Sequence, residues 1–208
     1  MTTLKTNKRQ ICASCNYPQR TCLCPWIHPI TSPLNIIILQ HPKEAKHAKN
    51  TVKLLTLGLK NISVLQGETP ADWEELAKMV TEKPQNYCLF YPHQQSISVE
   101  SISSPQQKEK YFPTNQQLIF IDASWRKALK IWHLNPWLQL CDSWHFANPP
   151  DNQYRIRRTT QQSSLSTLES VAYVLEHTHN INCTPLHTLF SKMQQKCFND
   201  NRRNIITY

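Results

Sequence analysis

Four apolar residues, Leu118-Ile119-Phe120-Ile121, run unbroken into Asp122, and after Ser124 the apolar period changes. Trp125, Ala128, Leu129 and Trp132 then fall at helical spacing. An unbroken apolar run is the pattern of a strand covered on both faces, and such strands belong to largely parallel sheets flanked by helices. Leu118–Trp132 is therefore read as a central strand, a short turn and a helix packed back on the sheet. Asp122 falls at the strand's carboxyl end, where open α/β sheets bind their ligands. A carboxylate, a hydroxyl and an indole at that edge, Asp122, Ser124 and Trp125, have two readings. They form a site, or Asp122 or Ser124 simply caps the helix.

The rest of the chain repeats the strand–helix alternation. Asn35–Leu39 is a buried strand with Gln40, His41 and Glu44 at its carboxyl edge, followed by a helical face of Ala45, Ala48, Val52 and Leu55 that ends near Gly58. Ile62–Leu65 gives a second strand, Trp73, Leu76, Ala77 and Val80 a second helix, and Tyr87–Tyr91 a third strand stopped by Pro92. Residues 93–115 are polar and without clear period, long for a structureless connection. Trp137–Cys141 reads as another strand and 142–152 as loop. Tyr154–Arg158 alternates and carries three arginines, which either clamp a carboxylate or phosphate or line an exposed edge strand. Ser166-Thr167-Leu168-Glu169 is a capping box that opens a helix, and Pro185–Phe198 is a last amphipathic helix. The fold class expected is α/β with a mostly parallel sheet.

Cys12-x2-Cys15-x6-Cys22-x-Cys24 places four thiols within thirteen residues, with Pro18 and Pro25 enforcing turns. That spacing suits a structural tetrahedral zinc site in a small N-terminal knuckle, with free or redox-active thiols as the alternative. Lys5, Lys8, Arg9 and Arg20 surround it, as phosphate contacts or as a solvated basic tail. The domain division is residues 1–33, knuckle and Pro-rich bridge, and 34–208, the α/β domain. Lys and Arg total 23 against 14 Asp and Glu, a net charge of +9, which points to an anionic partner, nucleic acid first. No apolar run is long enough to span a membrane and no secretory h-region follows the basic N-terminus, so a cytoplasmic protein with reduced thiols is expected. With only two glycines, Gly58 and Gly67, neither G-x-G-x-x-G nor a Walker A loop can be written. Any nucleotide-like cofactor must be held by other loops.

The N-terminal C-x2-C…C-x-C, HPKEAKHAKNT at 41–51, IDASW with Ala128, YRIR at 154–157 and LSTLES at 165–170 together resemble the DTW-domain proteins, the tRNA-uridine aminocarboxypropyltransferases. The resemblance covers nearly the whole chain in motif order. Ser124 stands where the name-giving motif usually has threonine, so the hydroxyl is kept.

That resemblance implies transfer of the 3-amino-3-carboxypropyl group of S-adenosylmethionine to N3 of a tRNA uridine, with methylthioadenosine released. It also implies a SPOUT-like fold with a deep trefoil knot. Asp122 is then the general base for the N3 proton or the group that orients the transferring chain's ammonium. Ser124, Trp125 and Ala128 belong to the cofactor pocket, with the indole favouring the sulfonium and the donor's methyl group hidden. Tyr91 and Pro92 join the cofactor-binding set. Leu165, Ser166 and Thr167 resemble a cofactor-holding loop. Arg155 and Arg157 meet either the cofactor carboxylate or the RNA. The competing readings are a SPOUT-type RNA methyltransferase and a non-catalytic zinc-ribbon RNA-binding protein. A monomer is slightly favoured, and the target uridine is left open.

Overall fold

The structure, a computed structural model, describes residues 10–47, 49–153 and 165–198. Six strands form one sheet: β1 (Asn35–Gln40), β2 (Ile62–Gln66), β3 (Tyr87–Phe90), β4 (Ile97–Ser98), β5 (Gln117–Asp122) and β6 (Asp142–His145). Their order is β2-β1-β5-β3-β6-β4 and every pairing is parallel. The helices are α1 (Pro42–Ala45), α2 (Val52–Gly58), α3 (Glu74–Glu82), α4 (Pro105–Tyr111), α5 (Trp125–Leu134), α6 (Thr167–His179) and α7 (Thr184–Phe198).

The unbroken apolar runs are explained by two cores, one on each side of the sheet. Because side chains alternate along a strand, Ile36, Ile38, Leu118 and Phe120 enter one core, together with α2, α6 and α7. Ile37, Leu39, Leu89 and Ile119 enter the other, together with α3 and α5. The knuckle packs into the first core through Cys15, Tyr17 and Leu23. Gly58 is what lets α7 lie close on α2: a Cβ there would meet Leu186 Cδ2 at 2.5 Å.

Three sequence readings are corrected. Trp137–Cys141 is not a strand: Pro136–Leu140 forms a 3₁₀ turn, because Pro136 fixes φ at its start and Trp137 and Leu138 bury against the α3 side. The strand lies just beyond, at β6, where only Trp144 of the four residues is buried, so the apolar signal was one residue wide. Residues 93–115 are not structureless. They hold β4, a 3₁₀ turn at Val99–Ser101 and α4, whose capping box joins Ser104 to Gln107. Finally, the helical face after β1 is split into α1 and α2, with Asn50 Oδ1 accepting from Val52 N at 2.9 Å and Asn50 Nδ2 donating to the Ala45 carbonyl.

The topology fixes where a ligand can sit. β1 leads outward to β2 through α2 on the first face, whereas β5 leads the other way to β6 through α5 on the second. The connections therefore diverge between β1 and β5, and a crevice opens above their carboxyl ends.

Candidate active site in the crevice between β1 and β5

Gln40 and Asp122 are register partners at the ends of β1 and β5. Gln40 Nε2 donates to Asp122 Oδ2 at 2.8 Å, and Thr167 Oγ1, from the first turn of α6, donates to Asp122 Oδ1 at 2.6 Å. Both carboxylate oxygens are thus held by donors from different parts of the chain. Gln40 Nε2 also lies 3.3 Å from Asn50 Oδ1, which extends the polar chain to the start of α2.

The capping alternative for this stretch is settled by these bonds. Ser124 is the N-cap residue of α5 by backbone conformation, but its side chain makes no capping hydrogen bond. The Asp122 carboxylate faces Gln40 and Thr167. Lys127 Nζ, from α5, meets Glu44 Oε1 of α1 at 2.7 Å and ties together the two segments that leave the crevice.

A cavity of about 760 Å³ opens at this point. Asp122, Ser124, Trp125, Ala128, Tyr91, Pro92, Leu165, Ser166 and Thr167 all line it. Arg155 and Arg157, with Lys5, Lys8 and Arg9, lie outside the described residues. Trp125 is 55 % exposed at the mouth, while Ala128, one turn further along α5, is buried. The floor is aromatic: Phe90 stacks on Phe120 with ring centroids 4.7 Å apart and on Phe146 at 5.8 Å. Tyr91 is backed by Trp132 at 5.8 Å, and burial pushes the Tyr91 hydroxyl's pKa up, so it remains a proton donor. Burial, and then the neighbouring His145, push the His93 ring's pKa down.

Two carboxylates hold the walls without entering the pocket. Glu169 closes the capping box, accepting from Ser166 N at 2.8 Å while Ser166 Oγ accepts from Glu169 N, and its other oxygen accepts from Gln153 N at 2.7 Å. The Ser166 and Glu169 N–H groups are therefore already used; those of Thr167 and Leu168 are first-turn groups of the kind a helix leaves without internal partners. Glu100 accepts from Ser98 Oγ, Ala147 N, Asn148 N and Tyr173 Oη, fixing the segment that carries Phe146. Burial opposes its ionisation, but those donors outweigh it and hold the carboxyl down to about 2.

Sequence reasoning missed the aromatic floor, the Asn50 link and the rim residues His47 and Lys49, which also line the cavity. A signal for the last three was present in the 41–51 segment. Phe146 and Trp144 gave none, because β6 is nearly all polar.

The four N-terminal sulfurs all lie within 4.8 Å of one another, with Cys12 Sγ–Cys24 Sγ at 3.5 Å and Cys15 Sγ–Cys22 Sγ at 3.7 Å. Sulfurs at about 2.3 Å from a tetrahedral metal stand ~3.8 Å apart, so the set fits one ion. Backbone N–H groups of Cys15 and Ser14 hold the Cys12 thiol down to about 6, while the Cys22 and Cys12 thiols push Cys24 up to about 12. Cys12 is thus the easier thiol to ionise and Cys22 and Cys24 the harder, a conflict that a divalent cation would remove.

Comparisons with known proteins agree with the motif reading. Residues 9–198 match the DTW domain. The chain is 27 % identical over 196 residues to mouse tRNA-uridine aminocarboxypropyltransferase 2, covering 91 % of this chain and 63 % of the mouse protein. It is 30 % identical over 195 residues to the Drosophila melanogaster protein of the same name, covering 88 % and 74 %. Against tRNA-uridine aminocarboxypropyltransferase A of Arabidopsis thaliana it is 29 % identical over 131 residues, 59 % of this chain and 50 % of that one. The chain thus spans less than two thirds of the mouse relative's length. No solved structure matches it. With residues 9–198 matched by one family model, the chain belongs to the DTW domain family.

Proposed function

We propose that this chain transfers the 3-amino-3-carboxypropyl group of S-adenosylmethionine to N3 of a uridine in tRNA. The observation that carries this reading is the Asp122 carboxylate, fixed by Gln40 and Thr167 on the rim of a cavity large enough for a nucleoside-sized donor. The names of its relatives give the same reaction class.

In the transfer, the N3 lone pair attacks the Cγ of the donor's amino acid arm. The Cγ–sulfur bond breaks with its electron pair going to sulfur, which leaves neutral methylthioadenosine, and the N3 proton passes to solvent water. Three carbons are bonded to the sulfonium, so the protein's task is to present one of them. Trp125 and Ala128 offer the apolar surface against which the methyl group packs, with Ser124 at the mouth. Tyr91 and Pro92 flank the donor, and Leu165, Ser166 and Thr167 at the start of α6 close the opposite side. An anion immobilised by two donors costs no reorganisation when a charge arrives. We therefore assign Asp122 to the α-ammonium of the transferring arm, which it orients. Arg155 and Arg157 are assigned to anionic groups, the donor carboxylate or RNA phosphates.

We further infer that Cys12, Cys15, Cys22 and Cys24 hold a structural zinc ion in a 1–33 knuckle docked on the 34–208 domain; the support is the sulfur geometry. A SPOUT-like fold with a trefoil knot is proposed on the strength of the parallel sheet and the carboxyl-edge cavity. None of the eight cysteines is in a disulfide, which suits a reducing cytoplasmic setting.

The test is incubation of the purified protein with unmodified tRNA and carboxyl-labelled S-adenosylmethionine. Label should enter the RNA. Label confined to small molecules would overturn the reading, and a methyl-sized mass increase would replace it with methyl transfer.

A further inference from the structure

The chain's acidic residues are unevenly distributed. Residues 1–43, 45–67 and 177–199 contain no Asp or Glu. The fold brings described parts of these three segments together on one side of the sheet, as the knuckle, α2 and α7, which share the first core. The other side carries α3 with Glu74, Glu75 and Glu82.

That side also carries α6, whose Glu176 meets His187 of α7 at 3.1 Å, but the knuckle, α2 and α7 themselves contribute no acid, and their lysines are held against aromatic rings. Lys53 Nζ donates to the Asn16 carbonyl at 2.6 Å and stands 4.1 Å from the Tyr17 ring centroid. Lys192 and Lys196 of α7 both lie over Trp26 of the knuckle, at 5.8 and 4.9 Å. Lys49 lies 5.7 Å over Phe198 at the end of α7, and it also lines the cavity. Cations thus run from the rim of the crevice, past the end of α7, to the knuckle. The rings restrict where the ammonium groups can go, which reduces the entropy lost when they meet an anion.

The geometry points to this face as the seat of an RNA phosphodiester backbone, laid from the knuckle to the cavity while one uridine enters the crevice. The inference rests on the tRNA reading above and adds where the RNA lies. Lysine is a compact point charge suited to contacting phosphates without reading sequence. Continuity with the cavity through Lys49 favours RNA over other polyanions, because this occupant must deliver a base to the same pocket.

The test measures binding of a fluorescent unmodified tRNA by the full chain across a salt series, without donor. Lys192→Gln/Lys196→Gln should weaken binding roughly tenfold at physiological salt and reduce the slope of log K against log salt by about 1.5, as for two lost phosphate contacts. Lys78→Gln/Lys83→Gln, on the α3 side, should change neither. Melting temperatures of both variants within a few degrees of the parent would show intact folds; if the α7 pair fails to fold, Lys49→Gln takes its place and should reduce the slope by about 0.8, as for one lost contact. An unchanged slope in the α7 variant, an equal loss in the α3 variant, or no tRNA binding by the parent overturns the inference. The labelled-donor assay separates the two ideas. A normal slope with label entering RNA sinks the docking face alone, and a reduced slope with no label in RNA sinks the transferase reading alone.

Discussion

The knuckle and the crevice are both built from polar atoms brought within a few ångströms of one another, but by opposite means. The knuckle's four sulfurs come from thirteen consecutive residues, and their convergence depends on local turns. The crevice's central carboxylate is held by partners 82 and 45 residues away, Gln40 and Thr167, and its convergence depends on strand register and on where α6 starts. A local cluster can be opened by removing one ion. A register-built site survives that and is weakened when a single distant donor is lost.

The sharpest break is expected at Asp122. Asp122→Asn preserves shape and should reduce transfer by about 10³-fold, in the range for removing a preorganised charge at a reacting centre, with little change in melting temperature. If Asp122 holds the ammonium, calorimetry will show weaker donor binding. Normal donor binding with a lost acid limb in the pH–rate profile would instead make it the general base.

Next in size is the metal. One equivalent of zinc per chain is expected by elemental analysis. Its removal by chelator, or Cys15→Ser, should cost more than about 3 kcal/mol of stability, since structural zinc contributes ~10 kcal/mol or more in isolated fingers. The crevice should keep its donor affinity below the new melting point. Loss of donor binding at temperatures where the sheet is still folded would erase the contrast between the two regions.

Thr167→Val should be smaller again. Losing one hydrogen bond to a carboxylate costs about 1–2 kcal/mol, seen as roughly tenfold in kcat/KM with the helix cap intact, because the cap belongs to Ser166 and Glu169. The smallest effect is at Glu100. Its carboxyl is depressed from the ordinary 4.5 to about 2, so its contribution to stability is full above pH 4.5 and disappears as pH falls towards 2. Glu100→Gln should flatten the acid limb of an unfolding titration in that window while leaving neutral-pH turnover within a few-fold.

How much of this was legible in the sequence follows from the same contrast. The knuckle could be read from cysteine spacing alone. β5 and α5 were legible because Leu118–Ile121 is buried on both faces and the period then changes at Trp125. β6 was hidden because its neighbours supply the packing and only Trp144 faces inward. α4 was hidden by its polar composition, although Ser104, Pro105 and Gln107 stood at capping-box spacing. Asp122 was placed correctly at a strand end, but its donors were invisible: nothing in the sequence states that β1 and β5 are neighbours or that α6 begins beside them. Motif resemblance supplied the grouping that periodicity could not.

One buried carboxylate has a consequence for how the crevice is held. Glu169 grips Gln153 N with one oxygen and Ser166 N with the other, so both flanks of the arginine-bearing stretch 154–164 are fastened to a common post. Thr167, next to Ser166, is carried on that post, and with it one of the two donors that hold Asp122. The position of the crevice's central carboxylate thus rests in part on a residue that does not line the cavity.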